Sequence, residues 1–390
     1  MTIHGPLIRY AGCPFTPNGY GTEARVALRY LHRAGYNLAL QPRDSGPRLT
    51  LDKADAAAFG IMTNRTGEGR PAMEIHHLPT HLIEPDPDVP VRVARTMVEA
   101  DALRRNWGDS CKRMTEVWVP STFCAEVFAG SGLDPDRLRV VPIGVDTRIF
   151  HPRAAGGSGA AGFKFLSVLT WQWRKGWDIL LKAYYEEFGP GEDVSLILKV
   201  VSPGAHAERR RARALETVRG FVQERLGHDF SRAPPVLIIQ ETMSERDLAA
   251  LYAMCDAFVL ASRGEGWGRP YLEAMASGLP TIGTGWGGNL DFMTPDNSYL
   301  IDVECLEPVR AGTTRVIGPE ARWARPSLGH LRQLMRHVFT RPAEALTRAA
   351  NARREALAYW DITVTGRSLA REIDRLAFSS SARVGAGPAE

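Results

Sequence analysis

Short apolar runs alternate along the chain with longer stretches in which apolar residues recur every three or four positions. Runs of four to eight apolar residues are typical of buried strands, and the longer spacing is typical of amphipathic helices. In the first half the runs predict strands at 6–11, 37–41, 58–63, 74–78 and 115–120, followed by a last strand within 139–152. The segment 14–21 is rich in Pro, Asn and Gly, and Thr22–Ala34 has helical spacing before Gly35. This alternation predicts an α/β fold with a parallel sheet.

The same pattern restarts in the second half of the chain. Strands are predicted at 163–169, 194–200, 235–240, 256–262 and 279–284, and helices at 177–188, 207–225, 245–255, 270–277, 326–339, 342–360 and 368–377. Ser244 has the chemistry of a helix cap before the helix at 245. Two strand-and-helix series in one chain predict two Rossmann-like domains.

Length and composition agree with two soluble domains. A chain of 390 residues is too long for one ordinary core, and 44% hydrophobic with 24% charged residues is a globular composition. The apolar runs stay below the ~20 residues that cross a bilayer, and the N-terminus lacks the long apolar stretch of a secretory signal. The sequence therefore predicts a cytoplasmic protein.

The net charge and the positions of the cysteines bear on nucleic-acid binding and on cysteine-based sites. The net charge of +4 is small for this length, so charge does not indicate nucleic-acid binding. The five cysteines are scattered without a C-x-x-C pair, which predicts free thiols.

Domain limits follow from where the pattern stops and restarts. The predicted division is an N-terminal domain at 1–150, a linker at 151–162 that contains the small-residue run AAGGSGAAG, a C-terminal domain at 163–345, terminal helices at 346–378 and a disordered tail at 379–390.

The most informative stretch is Ser262–Asn289, SRGEGWGRPYLEAMASGLPTIGTGWGGN. A predicted strand runs into a loop with three glycines, and Pro270 suits the first turn of the helix that follows. A helix N-terminus behind glycines offers unpaired N–H groups and a positive dipole end, which suits phosphate. Glu265 and Glu273 flank this anion site, and carboxylates suit sugar hydroxyls. Ligands of parallel sheets bind beyond the carboxyl ends of the strands.

Glu265 and Glu273 form an E-x7-E pair inside EGWGRPYLEAMASGLP, which closely resembles the signature of the family 4 retaining glycosyltransferases of the GT-B fold. The resemblance extends over nearly the whole chain and is strongest over 139–183 and 244–301. It implies two Rossmann-like domains facing across a cleft, with the nucleotide mainly on the C-terminal domain and the acceptor mainly on the N-terminal one.

The resemblance also assigns roles on the donor side. It implies that Glu273 holds the ribose and Glu265 the donor sugar, and that an Arg and a Lys grip the diphosphate. Lys175 matches, but Thr170 stands at the usual Arg position, so Arg174 is the nearest substitute. The loop residues implied to line the donor are Gly266, Trp267, Gly268, Arg269 and Pro270.

On the N-terminal side, Gly19 and Gly21 are implied to lie against the donor phosphates or the acceptor. The resemblance implies that one of His76 and His77 lies near the donor sugar. Adjacent residues of a strand face opposite sides, so only one of the two can point into a cleft. We favour His77 for the catalytic set with Glu265 and Lys175. Glu99, together with His76, is a candidate on the acceptor side.

The expected reaction transfers a hexose-type sugar from a nucleoside diphosphate donor, with UDP favoured, to an acceptor hydroxyl with retention of configuration. A front-face displacement would need no metal and no cofactor. The favoured acceptor is a soluble small molecule such as an aminosugar or cyclitol antibiotic intermediate. No nucleic-acid partner and at most peripheral membrane contact are expected, and the oligomeric state is left open.

Alternative hypotheses for the function stay open. The chain could build a polysaccharide or glycolipid, or bind a sugar nucleotide without catalysis; an epimerase or phosphorylase would keep the fold. Asp86-Pro-Asp88 is a conceivable metal-binding pair, although a Pro-rich turn is favoured. Arg209–Arg213 is a conceivable RNA or membrane contact, although a solvated helix face is favoured.

Overall fold

The computed structural model describes residues 3–45, 48–104, 108–152, 162–201, 216–225, 233–310 and 320–384, together with Ala212 and Gly227. The chain forms two compact units. Unit 1 comprises Met1–Gly144, Thr314–Ala321 and Tyr359–Glu390, and unit 2 comprises Val145–Thr313 and Arg322–Ala358.

Unit 1 is built on one parallel sheet. Its strands are β1 (His4–Gly12), β2 (Tyr36–Pro42), β3 (Met73–His77), β4 (Val91–Arg95), β5 (Glu116–Val119) and β6 (Leu138–Val140), in the order β2-β1-β3-β4-β5-β6. Its helices are α1 (Gly19–Arg33), α2 (Lys53–Asn64), α3 (Gly108–Lys112), α4 (Thr122–Gly130) and the last helix of the chain, α10 (Ile362–Val384). The strand order reverses between β1 and β3, because the chain adds β2 on one side of β1 and β3 to β6 on the other.

The core of unit 1 joins both ends of the chain. Ile8, Tyr10, Leu28 and Leu38 pack in one cluster with α10 residues, including Ile373. At Gly366 of α10 an added Cβ would collide with the ring of Tyr30 on α1. The last helix is therefore part of the first core.

Unit 2 is built on a second parallel sheet. Its strands are β7 (Phe163–Thr170), β8 (Val194–Val201), β9 (Val236–Ile239), β10 (Ala257–Leu260), β11 (Thr281–Thr284) and β12 (Tyr299–Ile301), in the order β12-β11-β10-β7-β8-β9. Its helices are α5 (Trp177–Glu187), α6 (Glu245–Ala253), α7 (Arg269–Ala276), α8 (Leu328–Thr340) and α9 (Pro342–Tyr359). Counted within the unit, this is the 3-2-1-4-5-6 order of dinucleotide-binding sheets, and it reverses between β7 and β10.

A two-stranded antiparallel ribbon completes unit 2. It consists of β13 (Val303–Pro308) and β14 (Arg322–Pro326) and is not hydrogen-bonded into the parallel sheet. The sequence analysis missed it, because β13 is short and mostly half-exposed and so lacks an apolar run.

Most predicted strands and helices are present within a few residues of their predicted limits. The strand predicted at 58–63 is wrong, because this segment belongs to α2. Asp52 caps that helix by accepting from the Asp55 N–H, and the alanines before the AFGIMT run favour helix.

Two helix limits also differ from the prediction. Helix α1 begins at Gly19 rather than at Thr22, because the Asn18 side chain accepts from the Gly21 N–H and starts the helix earlier. Helix α10 runs from Ile362 to Val384, so its Ser/Ala/Arg segment after 378 is helical where a disordered tail was expected.

Some predictions fall outside the described residues. These are most of the linker (153–161), the basic run Arg209–Arg213 apart from Ala212, and the last six residues, 385–390. The first unit ends at Gly144 by compactness, six residues before the predicted limit at 150.

Candidate functional site

Two loops meet where the strand order of unit 2 reverses. One follows β7 and contains the short 3-10 turn Trp173–Lys175, and the other follows β10 and leads to α7. The Arg263 N–H donates to the Arg174 carbonyl at 2.7 Å. Gly176 has φ of 63°, and a Cβ there would collide with the Ala261 carbonyl oxygen. The two loops are therefore in backbone contact, and this contact requires glycine.

The contact brings Lys175, Arg174 and Glu265 together. Lys175 Nζ lies 2.5 Å from Glu265 Oε1, and Arg174 Nη1 lies 3.4 Å from Glu265 Oε2. The Ser262 hydroxyl donates to Glu265 Oε1 at 2.7 Å, and Arg174 donates to the Gly264 carbonyl. Arg174 and Lys175 are each 8% exposed and Glu265 is 6% exposed. The three predicted residues thus form one buried cluster with an excess of one positive charge.

The electrostatics of Glu265 follow from this cluster. Burial by itself would raise the pKa of the Glu265 carboxyl. The adjacent Lys175 and Arg174, with the hydrogen bonds from Lys175 and Ser262, outweigh burial and hold the pKa below its ordinary value. Glu265 is therefore ionised at neutral pH.

The glycine loop packs against the loop that follows β11. Gly268 has φ of 89° and caps α7, and Pro270 lies in the first turn as predicted. The Gly288 N–H donates to the Glu265 carbonyl at 2.8 Å. Trp267 is buried against Phe292, with ring centroids 4.9 Å apart. Gly266 completes the buried loop, so the predicted donor-loop residues occupy one place in unit 2.

Glu273 lies in a different set of contacts from Glu265. It is 0% exposed, its Oε2 accepts from the Tyr252 hydroxyl at 3.0 Å, and its Oε1 pairs with Arg269. The pKa of the Tyr252 hydroxyl is raised by burial and then by the Glu273 charge. The two glutamates of the E-x7-E pair therefore have separate partners within unit 2.

Arg263 is the principal residue that the sequence analysis missed. It is 3% exposed, and its guanidinium makes a bidentate pair with Asp178 of α5 at 2.8 and 2.9 Å. Its Nε donates to Glu307 of the ribbon at 3.0 Å. Its place inside the SRGEG segment was the only available signal, because Asp178 and Glu307 are distant in the sequence.

His77 lies at the corresponding reversal point in unit 1. His77 Nδ1 lies 2.7 Å from the Tyr10 hydroxyl, and Nε2 lies 3.3 Å from Glu23 Oε2. Burial, and then the charge of Arg95, lowers the pKa of His77 well below its ordinary value. The imidazole is therefore neutral at pH 7, with both nitrogens engaged inside the unit.

The other N-terminal candidates surround the same strand ends. His76 is also 1% exposed, and its Nε2 lies 3.1 Å from Glu74 Oε1. Glu99 lies in the segment after β4, where its charge raises the pKa of Tyr20, which burial raises first. The Tyr20 ring packs against His77 with centroids 5.7 Å apart. His77 and Glu99 are thus neighbours of one tyrosine.

The two predicted glycines of this loop occupy the first turn of α1. Gly19 is exposed at the start of the helix. At Gly21 a Cβ would collide with the Thr16 carbonyl, so the loop requires glycine there for its own packing.

The conceivable metal pair is engaged in a turn. Asp86 accepts from the Asp88 N–H at 3.1 Å and pairs with Arg9 at 3.0 Å. Among the described residues, no group of three His, Cys, Asp or Glu side chains is arranged to hold a metal ion. The five cysteines, all of them among the described residues, form no disulfide, as predicted.

One segment of the chain matches a known family model. Residues 162–309 match the model of the family described as glycosyl transferases group 1. This segment of the chain is therefore similar to the group 1 glycosyltransferases. The matched segment starts just before β7 and ends just after β13, so it contains the Arg174–Lys175 turn, Glu265 and Glu273. The family resemblance stated from the sequence is confirmed.

Two curated relatives are similar over a little more than half of the chain. The D-inositol 3-phosphate glycosyltransferase of Acidothermus cellulolyticus is 28% identical over 248 residues, which are 60% of this chain and 51% of the relative. The MMP alpha-(1->4)-mannosyltransferase of Mycolicibacterium hassiacum is 27% identical over 55% of this chain and 49% of its own length. The chain thus spans about half the length of the curated relatives it matches.

A solved structure matches nearly the whole fold. The Anabaena protein HepE, in complex with UDP and glucose, superposes with a TM-score of 0.66 at 15% identity, covering 95% of this chain and 100% of HepE. The chain therefore has the GT-B fold, as predicted. Within the described residues, no helix combines the length and the apolar composition needed to cross a membrane.

Proposed function

We propose that the protein is a retaining glycosyltransferase that moves a hexose-type sugar from a nucleoside diphosphate to an acceptor hydroxyl. The observation that carries this proposal is the buried cluster of Lys175, Arg174 and Glu265 at the reversal point of the unit 2 sheet. That point is where ligands of doubly wound sheets bind. Similarity of the matched segment to the group 1 glycosyltransferases supports the same conclusion.

The cluster suits a diphosphate in charge and geometry. Lysine has three N–H donors and arginine has five, so each can contact several acceptors, and both are cations that attract phosphate oxygens. The start of α7 behind Gly266 and Gly268 adds backbone N–H groups and a positive dipole end. Negative charge on the diphosphate grows as the sugar leaves, so fixed cations stabilise the transition state more than the ground state.

In the proposed mechanism the acceptor hydroxyl attacks the anomeric carbon from the face that the diphosphate leaves. The bond between the anomeric carbon and the phosphate oxygen breaks, the new bond to the acceptor oxygen forms, and the acceptor proton moves to the departing phosphate oxygen. Lys175 and Arg174 hold the leaving group, and the ionised Glu265 holds the cations in place and contacts the sugar. Glu273 binds the ribose. No metal or cofactor is required in this scheme.

UDP is the proposed nucleotide, since HepE binds UDP in a matching fold. The proposed acceptor is a soluble small molecule, bound mainly by unit 1 near His77 and Glu99. A cyclitol or aminosugar is favoured, since one curated relative is named a D-inositol 3-phosphate glycosyltransferase and inositol is a cyclitol. The antibiotic context is our proposal for this chain.

The test is a thermal-unfolding screen of UDP, GDP, ADP and their hexose esters, in buffer with a chelator and then with Mg²⁺. A ligand present at 100 times its dissociation constant should stabilise the protein by about 2.7 kcal/mol. We expect UDP and one UDP-hexose to raise the melting temperature in chelator. Transfer by that donor to a panel of sugars and cyclitols should then give a product whose anomeric proton coupling shows retention.

A different experimental result would contradict each part of the proposal. If no diphosphate stabilises the protein under either condition, the donor site is wrong. If a sugar nucleotide binds but is never transferred or hydrolysed with any acceptor, the protein is a binding protein. An inverted product would exclude the retaining mechanism, and a strict need for Mg²⁺ would exclude metal independence.

A further inference from the structure

Arg263 lies where four elements of unit 2 come together. Its guanidinium contacts α5 through Asp178, the 3-10 turn through the Trp173 carbonyl at 2.8 Å, and the ribbon through Glu307. Its backbone N–H donates to Arg174 at 2.7 Å, and its carbonyl accepts from the Ala324 N–H of β14 at 2.9 Å. One side chain and its own backbone thus tie both site loops to the ribbon.

The stacking of Arg263 fixes its orientation. The guanidinium lies over the Trp173 ring, 4.4 Å from the ring centroid. A planar guanidinium that is stacked and also bidentate to a carboxylate has little freedom to rotate, and a lysine cannot reproduce either contact. Arg263 is therefore a rigid connector between the turn that carries Arg174 and Lys175 and the loop that carries Glu265.

The charges around Arg263 give it a second role. Asp178 is 8% exposed and stands in the first turn of α5, three residues after Lys175. A buried carboxylate seeks a cation, and its unpaired burial is costly. Arg263 satisfies Asp178 with two hydrogen bonds, while Lys175 and Arg174 pair with Glu265.

We propose that Arg263 is a positioning residue of the donor site, which neutralises Asp178 and so keeps Lys175 and Arg174 directed at Glu265 and at the diphosphate. This inference rests on the proposed function. The ribbon takes part through Glu307 and Ala324, and β14 lies beyond the family match, which ends at residue 309. The ribbon is thus a support of the donor loop that the matched segment contains only in part.

The test compares Arg263→Met, Arg263→Lys, Asp178→Asn and the double variant Arg263→Met/Asp178→Asn. For each, UDP affinity is measured by calorimetry, kcat and donor KM by initial rates, and stability by urea unfolding. We expect Arg263→Met to weaken UDP binding and to lower kcat/KM about 10–100-fold, because Asp178 then competes for Lys175 and Arg174. Arg263→Lys should recover little of this loss, because lysine lacks the planar fork.

The double variant is the decisive arm. Removing the Asp178 charge removes the competitor, so Arg263→Met/Asp178→Asn should regain about tenfold in UDP affinity and in kcat/KM relative to Arg263→Met. A pairwise energy of this kind appears only when the two sites are coupled. If Arg263→Met binds UDP and turns over as the wild type does, or if the double variant is no better than the single one, the positioning role is refuted.

Arg336→Met is the matched control. Arg336 also pairs with two carboxylates, Glu187 and Glu192, and lies over the Phe188 ring with 4.6 Å to the centroid, but it belongs to α8. It should lose stability in urea and keep the wild-type UDP affinity. If the wild-type protein itself does not bind UDP or any other nucleoside diphosphate, the proposed function fails first, and that result is separate from any difference among the Arg263 variants.

Discussion

Lys175 Nζ and Glu265 Oε1 lie 2.5 Å apart, although 90 residues separate them in the chain. Both side chains are almost fully buried, and Arg174 approaches the other carboxylate oxygen. A buried carboxylate between two cations keeps the cations fixed before any ligand arrives, which reduces the reorganisation needed to hold a diphosphate.

Replacing Lys175 removes one of the two cations fixed beside Glu265 and should lower turnover. We expect Lys175→Ala to lower kcat about 100-fold or more, in the range found for loss of one fixed transition-state donor. Lys182→Ala, on the more exposed side of α5, is the control and should leave kcat unchanged. Equal rates for Lys175→Ala and the wild type in a steady-state assay would remove Lys175 from the site.

Glu273 can be tested against its own structural partner. Glu273→Gln should weaken UDP binding about 10–100-fold and abolish the UDP-induced rise in melting temperature at moderate ligand concentration, because a ribose-binding carboxylate is lost. Tyr252→Phe removes the hydroxyl that donates to Glu273 and to the Pro270 carbonyl, and should cost about 1 kcal/mol of stability. If both variants lose stability but bind UDP as the wild type does in calorimetry, Glu273 only supports the fold.

The neutral, buried His77 predicts a dependence of stability on pH. Its folded pKa is lowered by burial and by Arg95, whereas in the unfolded chain it is about 6.5. The contribution of His77 to the free energy of unfolding is thus fully present above a pH of about 6.5. It is lost as the pH falls towards the folded pKa, by about 1.4 kcal/mol per pH unit at most. Between pH 7.5 and 5.5, the free energy of unfolding measured in urea should decrease less for His77→Gln than for the wild type. The exposed-site variant His151→Gln should follow the wild type, and a His77→Gln decrease as large as that of the wild type would contradict the prediction.

Gly176 should be intolerant of any side chain. Its positive φ costs an L-residue about 1–2 kcal/mol, and a Cβ would collide with the Ala261 carbonyl. We expect Gly176→Ala to lower the free energy of unfolding by about 2–5 kcal/mol once overpacking is included. Gly60→Ala is the control, since a Cβ there has no atom within 4 Å, and it should be neutral or stabilising by up to about 1 kcal/mol. Similar stabilities for the two variants in urea would show that the two site loops separate readily.

The sequence analysis located strands by apolar runs, and it was right at Phe163–Thr170 and Ala257–Leu260, for example. It was wrong at 58–63, because a short apolar run cannot distinguish a buried strand from one face of a helix. The ribbon was missed for the converse reason, since half-exposed strands have no apolar run.

For the site, the EGWGRPYLE segment was enough to predict the loop and the helix start, because these are local features of the chain. Its resemblance to a known signature indicated the family. The separate partners of Glu265 and Glu273 were not visible, since Lys175 and Tyr252 reach them from other elements. The same holds for His77, whose two nitrogens are satisfied by Tyr10 and Glu23.

The sequence by itself determined the α/β class, the two strand-and-helix series, the glycine-rich loop before a helix and the residue types that suit a diphosphate. Only the tertiary structure decided which of those residues meet. The order of strands in the unit 2 sheet brings the loops after β7 and β10 together. It thereby joins Lys175 to Glu265 and Arg263 to Asp178, across 90 and 85 residues. Local propensity has no information on such pairs, because they are set by how the strands are ordered and packed.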